Sequence, residues 1–382
     1  MTGRPGLGWQ EWLAQRARDR EARGLTRRLT EHDTGTPLLD LAGNDYLGLA
    51  CDPRVVEGAV EAARRYGGGA RASRLVTGTL SLHTALEERL AAFTGFDSGL
   101  VLSTGYHANL AVVAALADRD TLVVSDAHVH ASMVDACRLS RARVVVVPHN
   151  DVGAVEAALA AWDGRALVLA ETVYSVFGDR APVEALADVC AAHGALLVAD
   201  EAHGLGVAGP GGRGVLAEAG LAGADHVVAT ATLSKALGAQ GGAVLGSAAV
   251  RQHVVNTARP FVYDTGLAPA AAGAALAALG VVEREPERVA RLHRNAAALA
   301  ATCGVRTPPG AVMSVPVGGP EEAVAAVEAA AGKGVRIGCF RPPSTPDGSS
   351  RLRLTAHAHH TEDELALADE VVASVLGSVP GR

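Results

Sequence analysis

The sequence predicts an α/β fold: a large, mostly parallel sheet wrapped by helices, with a small C-terminal α+β domain behind it. Three observations carry this. Between about residues 98 and 247, seven short apolar runs alternate with helical stretches. The runs are uniformly apolar instead of alternating, as strands covered on both faces must be. And the residues just after the runs are polar, which is where open α/β sheets gather ligands. A composition of 49% hydrophobic and 20% charged residues is that of a compact globular chain able to bury such a sheet.

The elements follow in order. The start, "WQEWLAQRARDREARG", is an Arg-rich stretch that reads as a solvated amphipathic helix, and residues 1–45 form an N-terminal helical arm. Residues 46–270 hold the sheet. Its strands are "GLVLST" (99–104), "TLVVSD" (121–126), "RVVVVPH" (143–149), "ALVLAET" (166–172), "ALLVAD" (195–200), "HVVATA" (226–231) and "GAVLGS" (242–247). Helices such as "ANLAVVAALA" and "PVEALADVCAAHG" lie between them, the second opened by Pro182 and stopped by Gly194. Residues 271–382 begin with an alanine-rich helical stretch. They continue with "MSVPVG", "VRIGCF" and "RLRLTAH" as strands and with helices at 320–331 and 361–376. That order, β-α-β-β-α, suggests an antiparallel sheet. The cluster "HAHH" (357–360) reads as a solvated turn before the last helix.

Several function classes fall away on bulk properties. A net charge of −7 does not suit a broad grip on nucleic acid. No apolar run approaches the roughly 20 residues of a membrane span. Cys51, Cys137, Cys190, Cys303 and Cys339 are scattered without a CxxC pair, so neither a disulfide framework nor a zinc ribbon is indicated, and a cytoplasmic setting is expected. His128 and His130 can be read as metal ligands or as members of a polar loop. With no third ligand at a recognisable spacing, no metal is expected.

The stretch "VADEAHGLGVAG" (198–209) admits three chemistries. Gly204, Gly206 and Gly209 spell a dinucleotide fingerprint, but Pro210, Gly211 and Gly212 follow where a helix would have to open. "DEAH" spells a helicase motif, but no GxxxxGK[ST] loop exists to cradle a nucleotide. In the third reading Asp200 and His203 face a cofactor ring held elsewhere by a lysine.

Lys235, in "TATLSKALGAQGGAV", sits just past a strand end and supplies that lysine. With an ordinary pKa of about 10.4, about one free lysine amine in a thousand or fewer is neutral at pH 7. Holding the amine as a Schiff base to an aldehyde cofactor removes that limit. Pyridoxal phosphate would need a carboxylate at its ring nitrogen, backbone N–H groups at its phosphate and a flat neighbour. Asp200 can supply the first, although capping a turn is a commoner role for a strand-end Asp. Gly105 and Tyr106, in "STGYHAN", open a helix and can supply the second. His130 can supply the third.

With "NDYLGLA", "SRLVTG", "DAHVHAS", "DEAHGLG", "TLSKALGAQGG", "RPFVYDTGLAPA", "FRPPSTP" and "RLRLT" in this order, the chain resembles the α-oxoamine synthases, a branch of the fold-type I pyridoxal-phosphate enzymes. The resemblance covers residues 44–355. It implies a PLP-dependent transferase fold in a homodimer, with the site at the subunit boundary. By resemblance Lys235 is the Schiff-base lysine, Asp200 the ring-nitrogen partner, His203 the partner of the ring oxygen and His130 the stacking residue. Gly105, Tyr106, Ser175 and Thr232 match further cofactor contacts. Ser73, Thr265 and Gly266 match residues that reach a partner's cofactor. Asn44 and Arg353 match positions that orient the amino acid, and Arg27 and Ser344 match others that contact substrate or product. The implied activity is decarboxylative condensation of L-alanine with a pimeloyl thioester of coenzyme A or a carrier protein, with Lys235, His130 and Asp200 catalytic. Alternatives are a glycine-using relative, a secondary-metabolite oxoamine synthase, or a non-catalytic binding protein on the same scaffold. The chain departs from the family's Phe-Ser-Met-Asp-Gly with Tyr174, Val176 and Phe177.

Overall fold

The structure is a computed structural model and describes residues 8–27, 29, 31, 38–342, 344–345 and 347–378. The chain divides into two compact units. One takes residues up to Ala42, Ser314–Leu354 and those from Glu362 on. The other, larger, takes Gly43–Met313 and Thr355–Thr361.

In chain order the elements before the sheet are α1 (Trp9–Ala22), the two-residue β1 (Leu39–Asp40), α2 (Pro53–Tyr66) and α3 (Ser81–Thr94). The sheet of the larger unit then alternates with helices. It runs β2 (Ser98–Leu102), α4 (Gly105–Leu116), β3 (Leu122–Asp126), α5 (Ala131–Ser140), β4 (Arg143–Val147) and α6 (Val152–Ala160). It continues through β5 (Ala166–Glu171), α7 (Val183–Ala192), β6 (Leu196–Asp200), α8 (Val215–Glu218), β7 (Val227–Thr232) and β8 (Gly242–Gly246). All seven expected strands form. Their order is β2-β8-β7-β6-β5-β3-β4. β3 to β7 run parallel, and β8 is antiparallel to both its neighbours. A helix-free loop, residues 233–241, returns the chain after β7 and permits that reversal, whereas parallel neighbours need a crossover.

The apolar runs become strands because both faces are covered. β3, β5 and β8 are buried along their whole lengths, and α4 lays Ala108, Ala111 and Val112 on Leu100, Val123, Val198 and Val228. Each such Val or Leu contributes about 1.5–3 kcal/mol by leaving water. The carboxyl ends of the parallel strands thereby bring Asp126, Glu171, Asp200 and Thr232 to one edge.

After the sheet come α9 (Ala248–Thr257), α10 (Arg259–Val262), α11 (Pro269–Arg284) and α12 (Glu287–Cys303), the last two separated at Glu285 and Pro286. The boundary expected at residue 270 therefore falls after Met313. α11 packs along α2, and at Gly58 and Gly273 the two backbones approach so closely that a Cβ on Gly58 would sit 2.8 Å from the Gly273 carbonyl oxygen. No composition shift marks that union.

The smaller unit holds β9 (Val312–Pro316), α13 (Pro320–Gly332), β10 (Val335–Arg336), β11 (Gly338–Phe340), β12 (Arg351–Thr355) and α14 (Glu362–Gly377), with the ends of β9 and β12 passing into the larger unit. "VRIGCF" splits in two. β10 pairs in parallel with β1, and β11 pairs antiparallel with β12 in a sheet ordered β11-β12-β9. That β1–β10 pairing places the expected N-terminal arm in the smaller unit instead of on its own. The arm's helix α1 is solvated as expected, with Trp9, Trp12 and Leu13 exposed.

The "HAHH" turn differs from its expected solvation. His357 and His360 are buried, and the His357 ring nitrogens meet the Asp45 carbonyl at 2.9 Å and Thr355 Oγ1 at 3.1 Å. Among the described residues no helix is long and apolar enough to cross a membrane.

Candidate active site

Lys235 lies in the loop between β7 and β8, half-buried, with Nζ 2.9 Å from His203 Nε2. His203 is 3% exposed, and its Nδ1 meets the hydroxyl of the fully buried Tyr46 at 2.8 Å. That hydroxyl donates to Asn44 Oδ1 at 2.9 Å. The direction of the last bond fixes the others. The Tyr46 oxygen accepts from His203 Nδ1–H, which leaves His203 Nε2 as the acceptor for a proton on Lys235. Lys235 thus faces a built-in proton acceptor, as an amine that must become a nucleophile requires.

Asp200 closes β6 with only 5% of its surface exposed. Its Oδ1 accepts from the Ala202 N–H at 2.8 Å and its Oδ2 from Asn109 Nδ2 at 2.7 Å. The same Nδ2 reaches Ser132 Oγ at 2.8 Å, and Thr230 Oγ1 donates to Asn109 Oδ1 at 2.6 Å. Both Asp200 oxygens therefore face donors.

His130 caps α5, with Nδ1 2.7 Å from Ser132 Oγ. Desolvation in the cleft pushes its pKa down; Asp200 opposes that and Lys235 adds to it. Both the acid and the amine act on this one imidazole, which places them at one site. They also share Glu171, whose pKa is driven up to about 8 by burial first and by Asp200 second, against Lys235.

Thr104 starts α4, accepting from the His107 N–H at 3.0 Å, so Gly105 and Tyr106 open the helix as expected. A Cβ on Gly105 would lie 2.9 Å from Thr232 Cβ. The helix start and Thr232 thus form a close cradle that only a glycine leaves open. Tyr106 stands edge-on to His130, ring centroids 6.3 Å apart, and its hydroxyl bonds Asp135. Ser175 joins the site through its N–H, which donates to Glu171 at 3.0 Å.

Ser73 and Thr265 meet in an isolated bridge, and the Gly266 N–H donates to the Ala72 carbonyl at 3.0 Å. Within the smaller unit Arg27 donates to Ser344 at 3.0 Å, and Arg353 is buried with its guanidinium over Phe340. His128 and His130 separate: the His128 ring stacks on His149 at 3.9 Å and lies tilted against Phe177 at 4.9 Å. Sequence reasoning missed Tyr46, Asn109, Glu171 and His149. An isolated Asn inside an apolar helical run was the available signal for Asn109.

These residues fit pyridoxal phosphate. A buried, donor-surrounded carboxylate suits a protonated ring nitrogen, a helix start walled by Thr232 suits a phosphate, and a lysine held by an acceptor suits an aldehyde.

Comparison with known proteins agrees. The family model for aminotransferase class I and II matches residues 36–372. The chain is 58% identical, over 98% of itself and 98% of its relative, to an 8-amino-7-oxononanoate synthase of Mycobacterium sp. (strain JLS). A serine palmitoyltransferase from S. paucimobilis, solved with bound PLP and myriocin, superposes with a TM-score of 0.89 at 29% identity, covering 97% of this chain and 98% of that one. An 8-amino-7-oxononanoate synthase from Francisella tularensis superposes with a TM-score of 0.76 at 24% identity, covering 89% and 98%, a likeness of fold. The chain belongs to the aminotransferase class I and II family and, within it, to the α-oxoamine synthases that include the 8-amino-7-oxononanoate synthases.

Proposed function

We propose that this chain condenses L-alanine with a pimeloyl thioester, releasing carbon dioxide and the free thiol and forming 8-amino-7-oxononanoate for biotin synthesis. The observation that carries the reading is the 58% identity over 98% of both chains to a relative of that name. The site chemistry accords with it.

Bound pyridoxal phosphate supplies an aldehyde for amines and a ring that accepts charge from the substrate's Cα. The chain's own residues do the rest. His203 Nε2 takes a proton from Lys235 Nζ, so the amine is available first for attachment and then for removing the Cα proton. Asp200, held by Asn109 and Ala202, presents an anion that keeps a proton on a facing ring nitrogen. The start of α4 supplies N–H groups to the phosphate, and Thr232 closes its wall. His130, at the helix cap, donates from Nε2 toward the acyl carbonyl or the departing carboxylate. The Cα–acyl bond forms as the C–S bond breaks, the alanine carboxylate leaves as carbon dioxide, and a proton returns to Cα.

Asn44 and Arg353 are proposed to orient alanine, and Arg27 and Ser344 to contact the acyl substrate or product. Ser73, Thr265 and Gly266 are proposed to serve a partner subunit of a homodimer. The test is product analysis with alanine or glycine against pimeloyl, acetyl and succinyl thioesters, each presented on coenzyme A and on a carrier protein. 8-Amino-7-oxononanoate as the preferred product supports the reading. Preference for glycine with acetyl or succinyl thioester replaces it with a glycine-using relative.

A further inference from the structure

His130 offers Nδ1 to the Ser132 backbone N–H at 3.2 Å. A backbone N–H only donates, so Nδ1 must accept and carries no proton. The Ser132 hydroxyl lies 2.7 Å from the same nitrogen. Its oxygen already accepts from Asn109 Nδ2, which leaves its hydrogen for His130. The Asn109 amide has one allowed orientation. Turned over, its oxygen would stand 2.7 Å from Asp200 Oδ2, acceptor against acceptor, and Thr230, which now donates to Oδ1, would lose that acceptor. Asn109 is 2% exposed, so water cannot substitute for these partners. The bonds run in one direction: Thr230 to Asn109, Asn109 to both Asp200 and Ser132, and Ser132 to His130.

We infer that Asn109 is a positioning residue: it anchors Asp200 at Oδ2 and, by orienting the Ser132 hydroxyl toward Nδ1, reinforces the neutral Nε2–H tautomer of His130. His130 then meets the substrate as a proton donor at Nε2 and is unavailable as a base at Nδ1. The lowered pKa of His130 agrees, because protonating Nδ1 would set two N–H groups against each other. What the tautomer is used for rests on the proposed condensation; the chain of bonds does not.

The test is nitrogen-15 NMR of histidine-labelled protein, with and without pyridoxal phosphate, the His130 signals being assigned by their loss in His130→Gln. The expected wild-type pattern is a protonated Nε2 and an unprotonated Nδ1 at neutral pH. In Asn109→Ala and Ser132→Ala the backbone N–H at 3.2 Å alone still holds Nδ1, so the bias weakens, part of the Nδ1–H tautomer appears, the His130 titration moves up, and kcat falls roughly ten- to a hundredfold while KM for alanine stays within about threefold. Ser132→Thr keeps the hydroxyl and restores the wild-type pattern. A protonated Nδ1 in the wild type overturns the inference, as does an Asn109→Ala protein with unchanged tautomer and pH profile. If Asn109→Ala does not fold, Ser132→Ala decides the His130 limb. Where the tautomer is as expected but the product is not 8-amino-7-oxononanoate, the condensation fails and the bond chain stands.

Discussion

Lys235 and His203, from loops after two neighbouring strands, meet at 2.9 Å, with His203 oriented from behind by Tyr46. The amine is thus paired with an acceptor whose tautomer is set outside the reacting centre. Replacing Lys235 with Ala removes the attachment point and leaves the His203–Tyr46 bond in place. The variant is expected to lose the visible-edge absorbance of the cofactor-loaded protein and all measurable turnover, with a melting temperature near that of the wild type. Absorbance and calorimetry on one sample check both.

Tyr46→Phe strips His203 Nδ1–H of its acceptor inside a fully buried site. An orphaned buried donor costs about 1–3 kcal/mol. Stability should fall by that amount in denaturant titration. Turnover should fall more than alanine KM rises, because the freed imidazole adopts either tautomer in front of Lys235.

Gly105→Ala places a methyl group 2.9 Å from Thr232 Cβ at the mouth of α4. The helix start must move away from its wall, and cofactor retention should weaken by about tenfold, the equivalent of about 1.4 kcal/mol. Equilibrium dialysis of pyridoxal phosphate measures it; unchanged retention would remove the helix start from the phosphate site.

His149 lies between Asp126, 3.0 Å from Nδ1, and Asp179, 2.8 Å from Nε2. Burial acts to lower its pKa, but bonds to the two carboxylates outweigh it and raise the group to about 9. A raised folded pKa contributes stability that is complete below the unfolded value of about 6.5 and is lost as pH rises through about 9. Chemical denaturation from pH 6 to 10 should show wild-type stability falling through that window. His149→Gln should be less stable at pH 6 and should lack this component of the fall.

The strands were legible because a both-sides-buried strand must be apolar throughout, and "ALLVAD" and "HVVATA" state that directly. The residues at their carboxyl ends followed from chain direction alone. The direction of β8 was not legible, since a buried antiparallel strand such as "GAVLGS" carries the same apolar signature as a parallel one. The boundary near residue 270 was not legible because the alanines of α11 suit either unit, and its packing on α2 and α3, with the Gly58–Gly273 approach at its centre, decides. Lys235, Asp200, His203 and His130 carry reactive groups and announced themselves. Asn109 and Tyr46 act by orienting others, so their role exists only once the fold brings distant segments together.

The smaller unit is stitched from three separated stretches, and the larger one claims Thr355–Thr361 from beyond the second of them. On the ribosome, then, neither half can finish early: β1 waits for β10, and the sheet domain waits for a short piece made after β12. Stop codons before about residue 355 should therefore leave both halves incomplete, the smaller without α14 and the larger without Thr355–Thr361.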